Sequence, residues 1–503
     1  MYLTKLVTGG IPVLSGWNYA GGNYEKCLAL KASLKLENTT VLDVAYVASG
    51  KVKPQGTCIT NAHVSAPLCR VQFSTQTSET SEVRAEAWLP DEWYGRFLGL
   101  GNGGLGGCIA YDELDYGSSM HFATVGTNNG HDGNDGRAFL GNDEVLNDFA
   151  HRSIHVEAVI GKQIVEAYYG RPHDKAYYLG CSSGGRQGTQ TALKYPEDFD
   201  GIVAGAPATD FNHLQHWRGM MGRTIGAPEG ASSPAFIPPA LWMLVAAEVL
   251  AQCDGLDGVR DGIITEPDAC TFRPEALLCR GEGSGKCLTL TQVDALRTIY
   301  APLYGDGELL YPRFDPGAED SPLFSGKFPP YPEDWLRFAV LNVTDFDFST
   351  YGAVEGRAME AVNPGGIATF EGDLSGFRDR GGKLISYHGR MDPVIPSGNS
   401  KRVYDLVART LRMPSLDDFY RTFLVPGMGH CKGGPGAASF GQLEGTTTKN
   451  LSSHNILLAL VDWVEGGVAP DTIVGTAPDG KERTHCRYPM RSVWDGENFG
   501  CEN

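Results

Sequence analysis

Residues 178–188, Tyr-Leu-Gly-Cys-Ser-Ser-Gly-Gly-Arg-Gln-Gly, place Ser182 inside the pattern Gly180-x-Ser182-x-Gly184. This pattern is typical of a nucleophile elbow, a sharp strand-to-helix turn that lifts a serine hydroxyl clear of the sheet edge. The pattern alone is weak, but an aromatic-rich strand candidate (174–180) precedes it and a second short apolar segment (201–208) follows it. We therefore predict the order strand, elbow, helix, strand around Ser182.

Segments before the elbow predict further strands and a helix. Strand patterns occupy 39–48, 82–90 and 122–131, and the segment 95–108 runs from an apolar strand into a glycine-rich loop. Apolar residues at helical spacing then cover 148–170. Such alternation implies a mainly parallel sheet with helices on both faces.

The composition and the predicted secondary structure of the chain change between residues 210 and 382. Proline, glycine, tryptophan and tyrosine become more frequent, and the alternation of strands and helices is lost. Strand patterns return at 383–389 and 420–427. We therefore predict a catalytic domain formed by 1–209 and 383–503, with a lid domain inserted at 210–382.

Composition excludes some classes of partner. The chain has 503 residues, of which 42% are hydrophobic, and its formal net charge is −18. Binding to nucleic-acid phosphates needs clustered lysine and arginine, so an acidic chain argues against a nucleic-acid partner. No uninterrupted apolar run approaches the roughly 18 residues of a membrane span, so we expect no membrane association.

Cysteines and glycosylation sequons favour secretion. The twelve cysteines are even in number and lack zinc-site spacing, which favours disulfides. Asn-x-Ser/Thr sequons occur at Asn38, Asn342 and Asn450. We expect a secreted glycoprotein. Residues 1–10 lack an apolar signal-peptide core, so either the signal peptide is already absent or the start of the chain was placed late.

A serine nucleophile needs a general base that is itself oriented by a carboxylate. After an elbow of this kind the expected order is serine, acid, histidine. Asp392, in YHGRMDPVIP, follows a strand candidate, and His430, in VPGMGHC, follows the next one. We predict Ser182 as nucleophile, Asp392 as acid and His430 as base. His388 competes for the base role but precedes the acid, so we expect it to be structural or to face the substrate.

Two backbone N–H groups must stabilise the oxyanion of a tetrahedral intermediate. One should belong to Ser183, directly after the nucleophile. The other should come from the glycine-rich loop after the early strand, from either Gly103 or Gly104.

Cys181 and Cys431 each lie beside a catalytic candidate, one before Ser182 and one after His430. A bond between them would tie the elbow to the histidine loop. In the loop-closure account, a bridge across so long a segment stabilises the fold by on the order of 5 kcal/mol.

The segment 253–270, CDGLDGVRDGIITEPDAC, predicts a structural calcium site. Calcium prefers hard oxygen ligands on a tight loop, and the segment has no glutamate where an EF-hand would close. The candidate ligands are the carboxylates of Asp254, Asp257 and Asp261 and the carbonyl groups of Val259 and Ile263.

With GCSSGGRQG (180–188), HGRMDPVIP, GMGHC (427–431) and the loop 253–270, nearly the whole chain resembles the tannase and fungal feruloyl esterase family of α/β-hydrolases. The resemblance implies an α/β-hydrolase fold with an inserted lid domain, Ca²⁺ at the loop, and a Cys181–Cys431 bridge. It further implies the pairs Cys253–Cys270, Cys279–Cys287, Cys27–Cys69, Cys58–Cys108 and Cys486–Cys501.

The function that we expect is that of a secreted serine carboxylic ester hydrolase. It would release ferulic, p-coumaric or caffeic acid from a small aromatic ester or a feruloylated polysaccharide of the plant cell wall. Lid aromatics would hold the ring, although each also fits the plain lid core; the candidates are Trp242, Phe324, Phe328, Tyr331 and Trp335.

Three alternatives remain. The first is a tannase that cleaves galloyl esters, and the second is a relative of the bacterial enzymes that hydrolyse mono(hydroxyethyl) terephthalate. The third belongs to another class, a catalytically inactive, calcium-dependent wall-binding module. The intact set of Ser182, Asp392 and His430 argues against the third alternative.

Overall fold

The structure is a computed structural model that describes residues 17–280 and 286–502, so the N-terminal stretch 1–10 considered above lies outside the described residues. The strands are β1 Thr39–Val47, β2 Gly50–Val52, β3 Ala62–Val64, β4 Leu68–Gln76, β5 Glu82–Pro90, β6 Arg96–Leu100, β7 Ala123–Thr127, β8 Lys175–Cys181, β9 Gly201–Gly205, β10 Leu303–Gly305, β11 Glu308–Tyr311, β12 Lys383–Gly389, β13 Tyr420–Val425, β14 Thr472–Thr476, β15 Glu482–Cys486, β16 Arg491–Trp494 and β17 Phe499–Glu502.

The α-helices are α1 Trp17–Ser33, α2 Tyr111–Ser119, α3 Asp143–Asn147, α4 Ser153–Tyr169, α5 Ser183–Lys194, α6 Phe211–Thr224, α7 Pro239–Cys253, α8 Leu290–Ile299, α9 Pro330–Asp334, α10 Ala353–Val362, α11 Ser375–Asp379, α12 Gly398–Leu411 and α13 Ile456–Gly466.

Nine strands form the main sheet, in the order β1-β4-β5-β7-β6-β8-β9-β12-β13. The strands from β7 to β13 in this order pair in parallel. At one edge β1, β4, β5 and β7 pair antiparallel. The sheet is therefore mainly parallel, and the predicted α/β-hydrolase fold is confirmed.

Both faces of the sheet are buried, as side-chain alternation along β8 illustrates. Ala176 and Tyr178 point into a core that they share with residues of α4 and α12. Tyr177 and Leu179 point to the opposite face, where they pack with residues of α2 and α13. Helices therefore cover both faces, and parallel strands with two buried faces are apolar throughout.

The chain leaves the sheet after β9 and returns at β12. These two strands are neighbours and pair in parallel, from Lys383 opposite Gly201 to Tyr387 opposite Gly205. The helices and short strands between them enclose a separate hydrophobic core that includes Trp217, Phe314 and Trp335. The main sheet thus receives no strand from the intervening segment of the described chain, whereas the lid limits of 210 and 382 stay a prediction.

One helical stretch of the described chain, Pro239–Asp257, is long and apolar enough by composition to cross a membrane, with a mean hydropathy of 1.2. Packed helices of globular domains pass the same test. Trp242, Val245 and Val249 form a buried face on α7, and Cys253 at its end is bonded to Cys270. This stretch is therefore weak evidence for a membrane span.

Candidate active site

Ser182 occupies the turn between β8 and α5 in a strained backbone conformation, with φ 63° and ψ −122°. Its N–H donates to the Gly205 carbonyl at 2.9 Å, which fastens the turn to the neighbouring strand. A β-carbon at Gly180 would lie 2.8 Å from the Gly184 carbonyl group, and one at Gly184 would lie 3.3 Å from the Asn102 carbonyl oxygen. The flanking glycines are required because the chain approaches itself so closely, and the turn has the geometry of a nucleophile elbow.

Asp392 follows β12, is fully buried and accepts a 2.7 Å hydrogen bond from His430 Nδ1. The N–H groups of Val394 and Ile395 each donate to its other oxygen at 2.9 Å. Burial raises the pKa of Asp392, but the charges and hydrogen bonds of His430 and His388 outweigh burial and hold this pKa well below its usual value. Asp392 is therefore a carboxylate, and it orients the His430 ring with the proton on Nδ1.

Ser182 and His430 line the same cavity, whose volume is about 890 Å³. Within the described chain, no hydrogen bond of 3.5 Å or less joins Ser182 Oγ to the His430 ring. Catalytic hydrogen bonds are often long without substrate and tighten when it binds. The structure thus brings the three predicted residues to one site, with the acid–base contact formed and the base–nucleophile contact open.

His388 lies behind the acid rather than in the cavity. It is fully buried, its Nδ1 is 2.7 Å from Ser400 Oγ and its Nε2 is 2.9 Å from the Ile395 carbonyl oxygen. The same Nε2 lies 3.3 Å from Asp392. Of the two roles that we expected, the structure supports the structural one.

All twelve cysteines are paired, and the six expected disulfides are confirmed. The Cys181–Cys431 bridge joins the end of β8 to the residue after His430. The other pairs are Cys27–Cys69, Cys58–Cys108, Cys253–Cys270, Cys279–Cys287 and Cys486–Cys501.

Asn102 and Ser183 hold the glycine-rich loop beside the elbow. The Asn102 side chain donates to the carbonyl groups of Cys108 and Thr127 at 3.0 and 2.8 Å, and its N–H donates to Gln187 on α5 at 2.9 Å. The Ser183 hydroxyl donates to the Gly104 carbonyl at 2.6 Å. None of these contacts was evident in the sequence.

Gly103 and Gly104 both line the cavity, and neither N–H donates a hydrogen bond within the described chain. The N–H of Ser183 opens α5, where the first N–H groups of a helix have no intrahelical acceptor. Gly104 has φ 62°, and a β-carbon there would lie 2.6 Å from the Tyr331 hydroxyl. Free N–H groups are therefore available for an oxyanion, and the choice between Gly103 and Gly104 stays open.

The lid aromatics separate into one cavity residue and four core residues. Tyr331 lines the cavity. Trp242 stacks on Phe324 with ring centroids 4.3 Å apart, Phe328 packs against Phe348, and Trp335 is fully buried. For these four the expectation of contact with the substrate ring is not supported, because their surfaces are used inside the lid.

Sequence reasoning missed the charged residues that line the cavity, of which Asp112 is exposed and two others are less exposed. Glu113, on α2, accepts a 2.9 Å hydrogen bond from the Glu444 N–H, and burial raises its pKa to about 7. Arg218, on α6, is 5% exposed. Neither belongs to a motif, so no local pattern could have identified them.

The predicted calcium loop presents oxygens that lack partners. Asp257 has a buried carboxylate oxygen without a hydrogen bond, and the carbonyl groups of Val259 and Ile263 accept none within the described chain. Burial, together with the neighbouring charges of Asp257 and Asp254, raises the pKa of Asp261. Two neighbouring carboxylates thus surround Asp261, and carboxylates beside unused carbonyl groups are the hard oxygen donors that calcium prefers.

Comparison with known proteins agrees with this fold and site. Residues 69–501 match the family model described as tannase and feruloyl esterase. A probable feruloyl esterase B from Aspergillus clavatus is 42% identical over 499 residues, covering 95% of this chain and 94% of the relative.

Two solved structures are also similar. The crystal structure of feruloyl esterase B from Aspergillus oryzae matches with a TM-score of 0.92 and 40% identity, covering 95% of this chain and 100% of that one. Tannin acyl hydrolase from Aspergillus niger matches with a TM-score of 0.77 at 23% identity, over 95% of both chains, which shows a shared fold.

The fold and the relatives together define a carboxylic ester hydrolase built on the α/β-hydrolase sheet. Within that class, the chain belongs to the tannase and feruloyl esterase family.

Proposed function

We propose that this esterase is secreted and releases hydroxycinnamic acids from small esters or feruloylated polysaccharides by a serine mechanism. The observation that carries the proposal is one cavity lined by Ser182 at its elbow and by His430, with His430 bonded to Asp392. The printed names of the similar proteins, feruloyl esterase B and probable feruloyl esterase B, support the substrate class.

In the proposed reaction, Ser182 Oγ attacks the ester carbonyl carbon while His430 takes its proton. The N–H groups of Ser183 and of Gly103 or Gly104 stabilise the oxyanion. His430 then protonates the departing alcohol. In deacylation His430 takes a proton from the attacking water and returns it to Ser182 Oγ as the ester bond to the acyl group breaks and the acid leaves. Asp392 stays ionised throughout and stabilises the imidazolium, which the low pKa of its carboxyl group favours.

Replacement of the nucleophile tests the mechanism. For Ser182→Ala we expect kcat/KM on methyl ferulate to fall about a thousandfold or more with an unchanged melting temperature, because the fold does not depend on the hydroxyl. Ser119→Ala, at the exposed end of α2, is the matched control. Retained activity of Ser182→Ala would refute the nucleophile, and a wild-type protein without esterase activity would favour the wall-binding module.

A panel of methyl ferulate, chlorogenate and methyl gallate tests the acyl group. A site built to bond the extra hydroxyl groups of gallate disfavours ferulate, whereas a site that accepts a methoxy group does not. We expect the hydroxycinnamates to have the higher kcat/KM. A preference for methyl gallate would assign the tannase activity instead.

The proposal includes structural Ca²⁺ and glycosylation. Asp254, Asp257 and Asp261, with the carbonyl groups of Val259 and Ile263, would hold the ion, whose charge would stabilise the lid loop. The sequon asparagines Asn38, Asn342 and Asn450 are all exposed, as glycosylation requires. Disulfides form in oxidising compartments, so six of them support secretion.

A further inference from the structure

Arg218 is a buried cation at the wall of the catalytic cavity. Its Nε donates to the Val394 carbonyl at 3.1 Å, and its guanidinium carbon lies 5.6 Å from the centre of the Tyr331 ring. The residue is 5% exposed, yet it lines the cavity together with Ser182 and His430. Its position therefore allows contact with a bound ligand.

The Arg218 guanidinium has no anionic partner within the described chain: no carboxylate oxygen lies within 4.0 Å, and its Nη atoms make no hydrogen bond. Other buried arginines use their terminal nitrogens, although the Nε atoms of Arg186 and Arg390 make no hydrogen bond within the described chain. Arg70 pairs with Glu86, Arg390 pairs with Asp268, and Arg186 donates to two carbonyl groups. A largely buried charge without an anionic partner is unfavourable, and a complementary ligand would offset that cost.

Asp392 does not supply the missing partner. Its negative charge favours the protonated form of Arg218 and so raises the pKa of that residue. Its two oxygens, however, already accept hydrogen bonds from His430, Val394 and Ile395. Burial lowers the pKa of Arg218, and no other arginine or lysine lies among the described residues that line the cavity. Elsewhere the lining carries Asp112 and Glu113, which repel anions.

We propose that Arg218 binds a ligand carboxylate in the catalytic cavity through its two free Nη groups. The planar guanidinium matches a carboxylate with two parallel hydrogen bonds. The carboxylate belongs either to the alcohol half of the ester, as in a quinate ester, or to the released phenolic acid. The inference rests on the proposed function and specifies which esters and products the cavity holds best.

Matched esters test the alcohol half. Chlorogenate carries a quinate carboxylate, and its methyl ester is the same molecule without that charge. We expect wild type to favour chlorogenate in kcat/KM, and Arg218→Gln to reduce this ratio about tenfold, because one charge-assisted contact contributes about that much. Arg223 lies on the same helix as Arg218 but outside the cavity, and it pairs with Glu229. Arg223→Gln should therefore leave the ratio unchanged.

Ligand binding tests the acid product without turnover. In the Ser182→Ala background, ferulate should raise the melting temperature more than neutral ferulamide, and Arg218→Gln should remove the difference. If Arg218→Gln changes the ratio of kcat/KM between chlorogenate and its methyl ester, the carboxylate belongs to the alcohol half. If the variant changes only the melting-temperature shift caused by ferulate, the carboxylate belongs to the product.

Equal losses for charged and neutral esters with an unchanged ferulate shift would reduce Arg218 to a support for Val394 and overturn the inference. If Arg218→Gln fails to fold, the comparison of charged and neutral ligands on the wild-type protein tests the inference. The inference would also be overturned if wild type had equal kcat/KM for chlorogenate and its methyl ester, and if ferulate raised the melting temperature no more than ferulamide does. Absence of wild-type activity on methyl ferulate would instead refute the proposed function, while the thermal shifts would still report on Arg218.

Discussion

At the scale of single residues, Glu157 supports the strand that leads to the glycine-rich loop. This fully buried side chain on α4 accepts a 2.6 Å hydrogen bond from the Leu100 N–H at the end of β6. Its second oxygen makes no hydrogen bond to the part of the chain that the structure describes. Burial, reinforced by the charge of Asp198, raises the pKa of Glu157 well above its usual value. The carboxyl group therefore tends to keep its proton in the folded state.

This raised pKa predicts a pH-dependent effect of Glu157→Gln. The folded protein holds a proton that the unfolded chain releases above about pH 4.5, so the contribution of Glu157 to stability falls as pH rises. Glutamine is always neutral and can accept the same bond. We expect the free energy of unfolding of the variant to rise relative to wild type between about pH 5 and 8, by at most about 1.4 kcal/mol per pH unit.

Urea unfolding at several pH values measures this difference. Glu166→Gln makes the same substitution at an exposed position of the same helix and serves as the control. A difference between Glu157→Gln and wild type that stays constant with pH would show that the carboxyl group does not change its proton occupancy on folding.

At the scale of elements, the Cys181–Cys431 bridge joins two loops that bear the nucleophile and the base. It spans a sequence separation of 250 residues, and the entire lid lies between its ends. The elbow is also fastened by the bond from Ser182 to β9, whereas Cys431 itself has a strained φ of 66°. The bridge thus ties the loop that carries His430, which is also bonded to Asp392, to an elbow that β9 already positions.

Replacing both cysteines by alanine should therefore lower activity and stability together. We expect a fall in kcat on methyl ferulate and a stability loss on the order of 5 kcal/mol, since this bridge closes the longest loop. Kinetics and chemical denaturation measure the two effects.

The Cys486→Ala/Cys501→Ala protein is the matched control, with a separation of 15 residues and no contact with the cavity. We expect it to lose about 3 kcal/mol at most and to keep its kcat. Full activity of the Cys181→Ala/Cys431→Ala protein would show that the loops hold their geometry without the bond.

At the scale of the whole molecule, ion pairs connect the segment 253–270, where we predict a calcium site, to residues that follow β12. Asp268, at the end of the loop segment, bonds the buried Arg390 after β12 at 2.7 Å. Arg390 and Lys401 outweigh burial and hold the pKa of Asp268 well below its usual value. The conformation of the loop segment is therefore linked through this ion pair to the end of β12, the strand that precedes Asp392.

Chelation should lower the melting temperature more than it lowers turnover at moderate temperature. An ion that binds only the folded state stabilises it by mass action, while none of the proposed ligands lines the catalytic cavity. Asp257→Asn should melt lower than wild type and show no further shift with EDTA. A wild-type melting temperature that is indifferent to EDTA would exclude the metal.

Local patterns were sufficient for much of the fold. The alternating pattern at 82–90 coincides with the antiparallel strand β5, and the apolar run at 383–389 coincides with the parallel strand β12. The strand at 68–76 was not predicted. It carries Arg70 and Gln72, which both donate hydrogen bonds to the buried Glu86. Polar residues at buried positions interrupt the apolar pattern from which a strand is predicted.

The sequence by itself determined the elbow, the order of Ser182, Asp392 and His430, and the membership of a hydrolase family, because these depend on short motifs and their order. Only the tertiary structure decided that Tyr331 reaches the cavity while Trp335 does not, and that Arg218 has no carboxylate partner among the described residues. Burial and pairing are properties of residues brought together from distant segments. No periodicity along the chain encodes which side chains will meet across a cavity.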